Sequence, residues 1–225
     1  MKFSSKIEYT IKKLSNVHLD KGQNIAIFST PRSGSTWLAE LVKSQPGFKV
    51  CNEPLNIRNP LVANALNIQS WDELYSEKSQ NKVLSYFEDI TNNKHRFLNG
   101  NPFRKYYRPI SRRLVFKIIN SGELIPNEIA IASKSNIIYL IRHPISVSLS
   151  RKQLPRFDML TSNKILNLLN NDQIKITQKY KNCQNYLIRA VLSWCIQNRI
   201  ALNNITKEWV VFTYEQLVVE PESII

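Results

Sequence analysis

Five apolar runs, at residues 25–28, 48–51, 114–119, 136–141 and 209–213, alternate with segments whose apolar residues recur three or four positions apart. Short apolar runs bounded by turn residues fit buried strands, and the three-to-four spacing fits helices with one apolar face. Strands alternating with helices predict an α/β domain of three layers around a central parallel sheet of about five strands. The first strand, 24–29, breaks into a small hydroxyl-rich turn. A helix follows from Thr36, with Trp37, Leu38, Leu41 and Val42 on one face, until Pro46-Gly47 stops it.

Further along, residues 61–66, 71–75 and 83–90 are expected to be short helices, and Pro144 after the fourth strand predicts a helix over 145–152. Helices are also expected over 162–169 and 175–202. At the front, Phe3, Ile7, Ile11 and Leu14 share the helical spacing, which predicts an amphipathic helix ended by Gly22. At the back, Glu220-Pro221-Glu222 reads as a helix start one turn before Ile225, so a single domain over 1–225 is expected to continue past that residue.

The turn after the first strand presents Ser33, Ser35 and Thr36 hydroxyls and backbone N–H groups at a helix N-terminus, a place where an oxyanion is stabilised. Arg32 adds a permanently charged fork suited to phosphate or sulfonate oxygens. On the same sheet edge stand Glu53, after the second strand, and Arg142, after the fourth. Lys117 is the one charge inside the third run, where a lysine either snorkels from an edge or is held in a pocket. Ser150 falls on the helix after Arg142, and Tyr214 follows the fifth strand.

Charge widens the choice of ligand: 31 Lys+Arg against 17 Asp+Glu leave a formal +14, which favours polyanionic partners. Between Lys94 and Lys117 eight basic residues and no acid are interleaved with Phe97, Phe103, Tyr106 and Tyr107. Such a stretch suits a single-stranded nucleic-acid platform, the wall of a pocket for an anionic acceptor, or a solvated loop. Cys51, Cys183 and Cys195 are too few and too scattered for a disulfide framework or a zinc site. No run nears the ~20 apolar residues of a membrane span and residues 1–20 lack a signal-peptide core, so a cytoplasmic chain is expected. The nucleoside-triphosphate loop G-x-x-x-x-G-K-[ST] and the fingerprint G-x-G-x-x-G are both absent. His18, His95 and His143 form no triad pattern.

Three segments, in order, resemble the sulfotransferases that use 3′-phosphoadenosine-5′-phosphosulfate (PAPS) as sulfuryl donor. Thr30-Pro31-Arg32-Ser33-Gly34-Ser35-Thr36-Trp37 is similar to the family's 5′-phosphosulfate loop. Ile138-Tyr139-Leu140-Ile141-Arg142-His143-Pro144 followed by Ser150 resembles its 3′-phosphate motif, and Tyr214-Glu215-Gln216-Leu217 its segment near the adenine. The resemblance implies a P-loop-like sulfotransferase fold and transfer of a sulfuryl group to a hydroxyl or amine, on a small molecule or glycan, with no metal. It also implies roles: Arg32, Ser33, Gly34, Ser35 and Thr36 around the 5′-phosphosulfate, Trp37 and Tyr214 beside the adenine, Arg142 and Ser150 on the 3′-phosphate, and Lys117 on a sulfuryl oxygen. One branch of the family has a histidine base two residues after the lysine that Lys117 resembles, where this chain has Ile119. Glu53 before Pro54, and arginine in the loop, resemble the carbohydrate branch instead, which implies Glu53 as base. A single-stranded nucleic-acid binder and a catalytically inactive PAPS binder are the competing expectations.

Overall fold

The structure, a computed structural model, describes residues 7, 10, 11, 17–19, 22–95, 108–220 and 222. The basic and aromatic residues 96–107 and most of the expected N-terminal helix lie outside these. In chain order the first half comprises β1 (Val17–His18), β2 (Asn24–Ser29), α1 (Ser35–Ser44), β3 (Phe48–Asn52), α2 (Pro60–Leu66), α3 (Trp71–Leu74), α4 (Glu77–Thr91), β4 (Ile110–Ser111) and β5 (Arg113–Ile118). The second half comprises α5 (Pro126–Ala132), β6 (Ser135–Ile141), α6 (Pro144–Leu149), α7 (Phe157–Leu160), α8 (Asn163–Leu166), α9 (Asn171–Tyr180), α10 (Tyr186–Leu202), β7 (Val210–Thr213) and α11 (Tyr214–Val219).

The five expected strands form one parallel sheet in the order β3-β5-β2-β6-β7. From β2 the chain first builds outward on one side, through β3 and β5, and then on the other, through β6 and β7. The order therefore reverses at β2, and the carboxyl end of that strand is where an open parallel sheet leaves a crevice for ligands.

Strand alternation sorts side chains onto two faces. Ala26, Phe28, Leu114, Phe116, Ile137 and Tyr139 join the larger core cluster, with Phe87 of α4, Ile129 of α5 and Ile196 of α10. Ile27, Val115 and Leu140 face the other way, against Leu38 and Ala39 of α1 and Leu217 of α11. This is the three-layer arrangement that the pattern predicts. At the amino edge the fully buried Asn24 ties it together: its Nδ2 donates to the Ser133 carbonyl at 2.8 Å and its Oδ1 accepts from the Leu114 N–H at 2.7 Å.

Some boundaries differ from expectation, each for a local reason. Val17–His18 is a strand, paired in parallel with Ile110–Ser111, so no helix extends to residue 20. The expected helix over 175–202 is two helices, because the Asn185 side chain accepts the Leu187 and Ile188 N–H groups and starts α10 afresh. α4 starts at Glu77, six residues before the apolar residues that betray it, since its first turns are polar in sequence even where Ser79 is buried. α8 covers four of the eight residues expected to be helical over 162–169. The helix after Pro144 ends at Leu149, which makes Ser150 its C-cap rather than an interior residue; its hydroxyl donates to the Val147 carbonyl at 2.8 Å. The helix start expected at 220–222 falls partly outside the described residues, and the helix after β7 begins earlier, at Tyr214. There Thr213 and Gln216 form a capping box.

The two-stranded β1-β4 pair is held to the main sheet by Lys49 of β3, whose Nζ donates to the Pro109 carbonyl at 2.8 Å and the Val17 carbonyl at 3.3 Å. Burial pulls this ammonium down to about 8, against ~10.4 for an exposed lysine. A lowered folded-state value means the unfolded chain binds more protons between those limits, so the group's contribution to stability rises as pH climbs from about 8 to ~10.4. Urea midpoints of the parent chain and Lys49→Met are therefore expected to diverge between pH 7.5 and 10, the parent gaining on the variant. Parallel curves would refute the assignment.

Candidate functional site

The loop 30–34 leaves β2 at the switch point and enters α1 through two left-handed residues, Arg32 at φ 73° and Gly34 at φ 92°. Thr30 and Ser33 are buried and their hydroxyls pair at 2.8 Å, which closes the turn from inside. The Ser33 hydroxyl is thus turned into the protein. Gly34 caps α1 without a side-chain hydrogen bond, so the helix's first N–H groups lack the usual side-chain acceptor.

Lys117 occupies the position across β5 from Ile27 on one side and Asn52 on the other. Alternation puts it on the same face as Val115, the face that α1 covers, so its side chain rises toward the first turn of α1. The ammonium donates to Thr36 Oγ1 at 3.0 Å, Asn52 Oδ1 at 2.8 Å and Glu53 Oε1 at 3.0 Å. Lys117 is 5% exposed. The lysine is therefore held in a pocket and does not snorkel. Glu53 leaves β3 in the left-handed region, φ 52°, with its N–H donating to the Lys117 carbonyl at 2.9 Å. Asn56 Nδ2 donates to the second carboxylate oxygen at 2.9 Å. Each oxygen of Glu53 has one described donor and retains a further lone pair. A strained backbone that aims a carboxylate at the buried Lys117 ammonium is a feature associated with functional sites.

On the other side of the loop Arg142 donates to the Arg32 carbonyl at 3.3 Å and lies over the Tyr214 ring, 4.4 Å from its centroid. Tyr214 meets Trp37 edge to face at 5.9 Å, and Trp37 is 43% exposed. Glu215 Oε1 accepts the His143 N–H at 3.2 Å, joining the first turn of α11 to the end of β6. An open indole beside a tyrosine and an arginine forms a surface fit for a flat heterocycle and an anion.

A cavity of about 500 Å³ opens beside the loop, with Arg32, Glu53, Ile119 and Ser150 in its wall. Of the predicted site residues, Thr36 and Glu53 both meet Lys117, Arg32, Glu53 and Ser150 share the cavity, and Arg142, Tyr214 and Trp37 form a separate cluster joined to the loop at Arg32. No described hydrogen bond links Arg142 with Ser150. The sequence reading missed the cavity's far wall, Arg151 and Arg156, whose guanidinium groups are 8% and 4% exposed by residue. Arg156 Nη1 reaches Glu123 Oε1 at 2.9 Å and Nη2 reaches Gln197 Oε1 at 2.7 Å, while Tyr75 hydrogen-bonds both Glu123 and Arg156. Desolvation pushes the Tyr75 phenol well above its ordinary range, so it stays protonated in this network.

Several members of the basic stretch 94–117 are used inside the protein. Lys117 is buried, Arg108 donates to the Gln45 carbonyl at 2.9 Å, and Arg113 lies 4.0 Å from the centroid of the Phe48 ring. Among the described residues no helix is long and apolar enough to cross a membrane.

No protein-family model matches the chain, and no curated protein matches it in sequence. Among solved structures it is similar to the sulfotransferase domain of the curacin biosynthetic pathway, at 17% identity over 91% of this chain and 71% of that one, with a TM-score of 0.45. A sulfotransferase domain from the Synechococcus PCC 7002 olefin synthase is 19% identical over 92% of this chain and 71% of that one, with a TM-score of 0.40. Mouse sulfotransferase SULT7A1 complexed with PAP is 16% identical over 99% of this chain and 61% of that one, with a TM-score of 0.37.

Proposed function

We propose that the chain is a PAPS-dependent sulfotransferase that moves a sulfuryl group to a hydroxyl or amine of a small-molecule or glycan acceptor. The observation that carries this reading is the Lys117 ammonium, held between Thr36 at the anion loop and the Glu53 carboxylate. A buried cation beside the loop suits a phosphosulfate held there, and the carboxylate paired with it lies in the cavity wall as a proton acceptor. In the reaction Glu53 takes the acceptor's proton, the acceptor oxygen or nitrogen forms a bond to sulfur, and the sulfur–oxygen bond to the 5′-phosphate breaks. The electron pair leaves with 3′-phosphoadenosine 5′-phosphate (PAP), and the donors of the loop, Arg32 and Lys117, offset the charge that develops on the bridging oxygen.

Arg142, stacked on Tyr214 beside Trp37, is assigned to the 3′-phosphate, the group that separates PAPS from ATP. Ser150 is assigned to the same phosphate on the sequence resemblance alone, and its hydroxyl would turn from the Val147 carbonyl to meet it. Ile119, where another branch of the family carries a histidine, and Glu53 both line that cavity, which supports the assignment of Glu53 as the base.

Transfer from ³⁵S-labelled PAPS to a panel of phenols, hydroxylated lipids and glycans tests the reading, together with calorimetric titration of PAP and ATP. PAP is expected to bind and ATP to bind far more weakly. Arg142→Ala should reduce PAP affinity by roughly ten- to hundredfold, as the loss of a charge-assisted contact does, while leaving ATP binding unchanged. Equal affinity for PAP and ATP, or no transfer by the folded chain to any acceptor, would overturn it.

A further inference from the structure

The cavity beside the anion loop is charged in a way that the transfer chemistry does not require. Its wall carries Arg32 near the loop and Arg58, Arg151, Lys152 and Arg156 beyond it, against a single carboxylate, Glu53, already paired with Lys117. Arg156 is neutralised from behind by Glu123 at 2.9 Å. The other far-wall cations have only neutral described partners or none. Arg58 donates to Gln153 Oε1 at 3.4 Å, and Arg151 Nη1 to Ser193 Oγ at 3.3 Å.

Arg151 is the most unusual of these. The residue is 8% exposed, and its Nε and Nη2 are buried without a hydrogen-bond partner. Among the described residues no carboxylate pairs directly with it, and a buried guanidinium with two unsatisfied donors is costly to hold. It is nevertheless fixed on both sides. Tyr186 donates its hydroxyl to the Arg151 carbonyl at 3.2 Å, and Ser193 Oγ, which accepts from Arg151, also accepts from Gln197 Nε2 at 2.7 Å. Gln197 in turn accepts from Arg156 through Oε1, so one hydrogen-bonded chain runs from the partly buried Glu123 to Arg151. Burial, and then the charge of Arg156, pull the Arg151 guanidinium down to about 10, which leaves it a cation at neutral pH.

We infer that the cavity is an acceptor site for an acidic molecule, one whose carboxylate, phosphate or sulfate ester pairs with Arg151, flanked by Arg58 and Lys152, while its hydroxyl or amine sits at Glu53. The inference rests on the sulfotransferase reading for what happens at Glu53, but the acid-binding wall stands on its own observations. An anion there supplies counter-charge to this wall and fixes which end of the acceptor meets the loop, and the Arg151 side chain must turn toward the cavity for its two buried donors to reach it. Trp71 and Leu154 line the same cavity and give the body of the acceptor an apolar surface.

The test uses matched acceptors that differ only in the acid: 4-hydroxybenzoate against its methyl ester, and a uronic-acid disaccharide against its methyl ester. Each is titrated into the PAP-saturated chain, so that the anion loop is already filled, and binding is read by calorimetry. The acid of at least one pair is expected to bind roughly ten- to hundredfold more tightly than its ester, the range of a charge-assisted hydrogen bond. Arg151→Met should abolish that preference and leave PAP affinity and ester affinity as they were; Arg151→Lys should keep part of it. Arg58→Gln, at an exposed position, gives a second variant whose folding is not in question and should reduce the preference severalfold. Esters binding as well as acids, no binding of either, or a preference unmoved by both Arg151→Met and Arg58→Gln would overturn the inference. Failure of the sulfotransferase reading would show separately, as absent PAP binding or absent transfer with the acid preference intact.

Discussion

Glu53→Gln is expected to bind PAP as the parent chain does and to turn over about 10²–10⁴-fold more slowly, the range lost with a general base. The substitution is nearly isosteric. Its amide oxygen can still accept from Lys117, and Asn56 must reverse its own amide so that its oxygen faces the new donor. Lys117 loses its counter-ion but keeps Asn52 Oδ1 and Thr36 Oγ1. The fold should therefore be destabilised by only about 1–3 kcal/mol, the cost of a weakened hydrogen bond to a charged group. A base and a mere positioning residue are separated by the acidity of the acceptor. Across phenols of falling pKa the acceptor needs less help in losing its proton, so the deficit of Glu53→Gln should shrink from the upper to the lower end of that range. A deficit constant across the series would make Glu53 an anchor for Lys117 rather than the base, and unchanged turnover would remove it from the mechanism.

The strands and the loop were legible because their signals are local. An apolar run that ends in Ser29-Thr30-Pro31 announces both the strand and its turn, and Lys117 stands out as one charge in Leu114-Val115-Phe116-Lys117-Ile118. Counting two along from Val115 even indicates the face on which it lies. What it touches was not legible, since Thr36, Asn52 and Glu53 meet it only through the β3-β5-β2 order of the sheet. The far wall of the cavity is the extreme case. Ser193 and Gln197 lie one helical turn apart, but Glu123, Arg151 and Arg156 come from loop segments elsewhere in the chain, and no spacing ties them to that helix. The start of α11 is the opposite: Thr213 and Gln216 spell a capping box, a local signal that was available and that moves Tyr214 from the end of a strand to the first turn of a helix. That shift matters, because it is what puts the Tyr214 ring against the anion loop.

Gly34→Ala is expected to be the most damaging single substitution in the site. At φ 92° a β-carbon is strained by about 1–2 kcal/mol in the left-handed region. The added methyl would also lie 2.6 Å from Tyr214 Cε2 and closer still to Cδ2, an overlap that forces the ring away. Overpacking of this kind costs a further ~1–3 kcal/mol, so the total approaches a large fraction of the stability of an ordinary domain. Moving the ring also removes the face on which Arg142 lies and the edge contact with Trp37. PAP affinity should then fall by roughly a hundredfold or more in whatever fraction stays folded, given the ~1–3 kcal/mol that a stacked base alone contributes. A double-mutant cycle with Tyr214→Ala separates the two causes. In the Tyr214→Ala background the three atoms nearest that methyl are gone, and Gly34→Ala should cost little beyond the backbone strain. If the stability loss is the same with and without the ring, the close approach of Tyr214 to the loop is not what requires glycine there, and any fall in PAP affinity would need a cause other than a displaced ring.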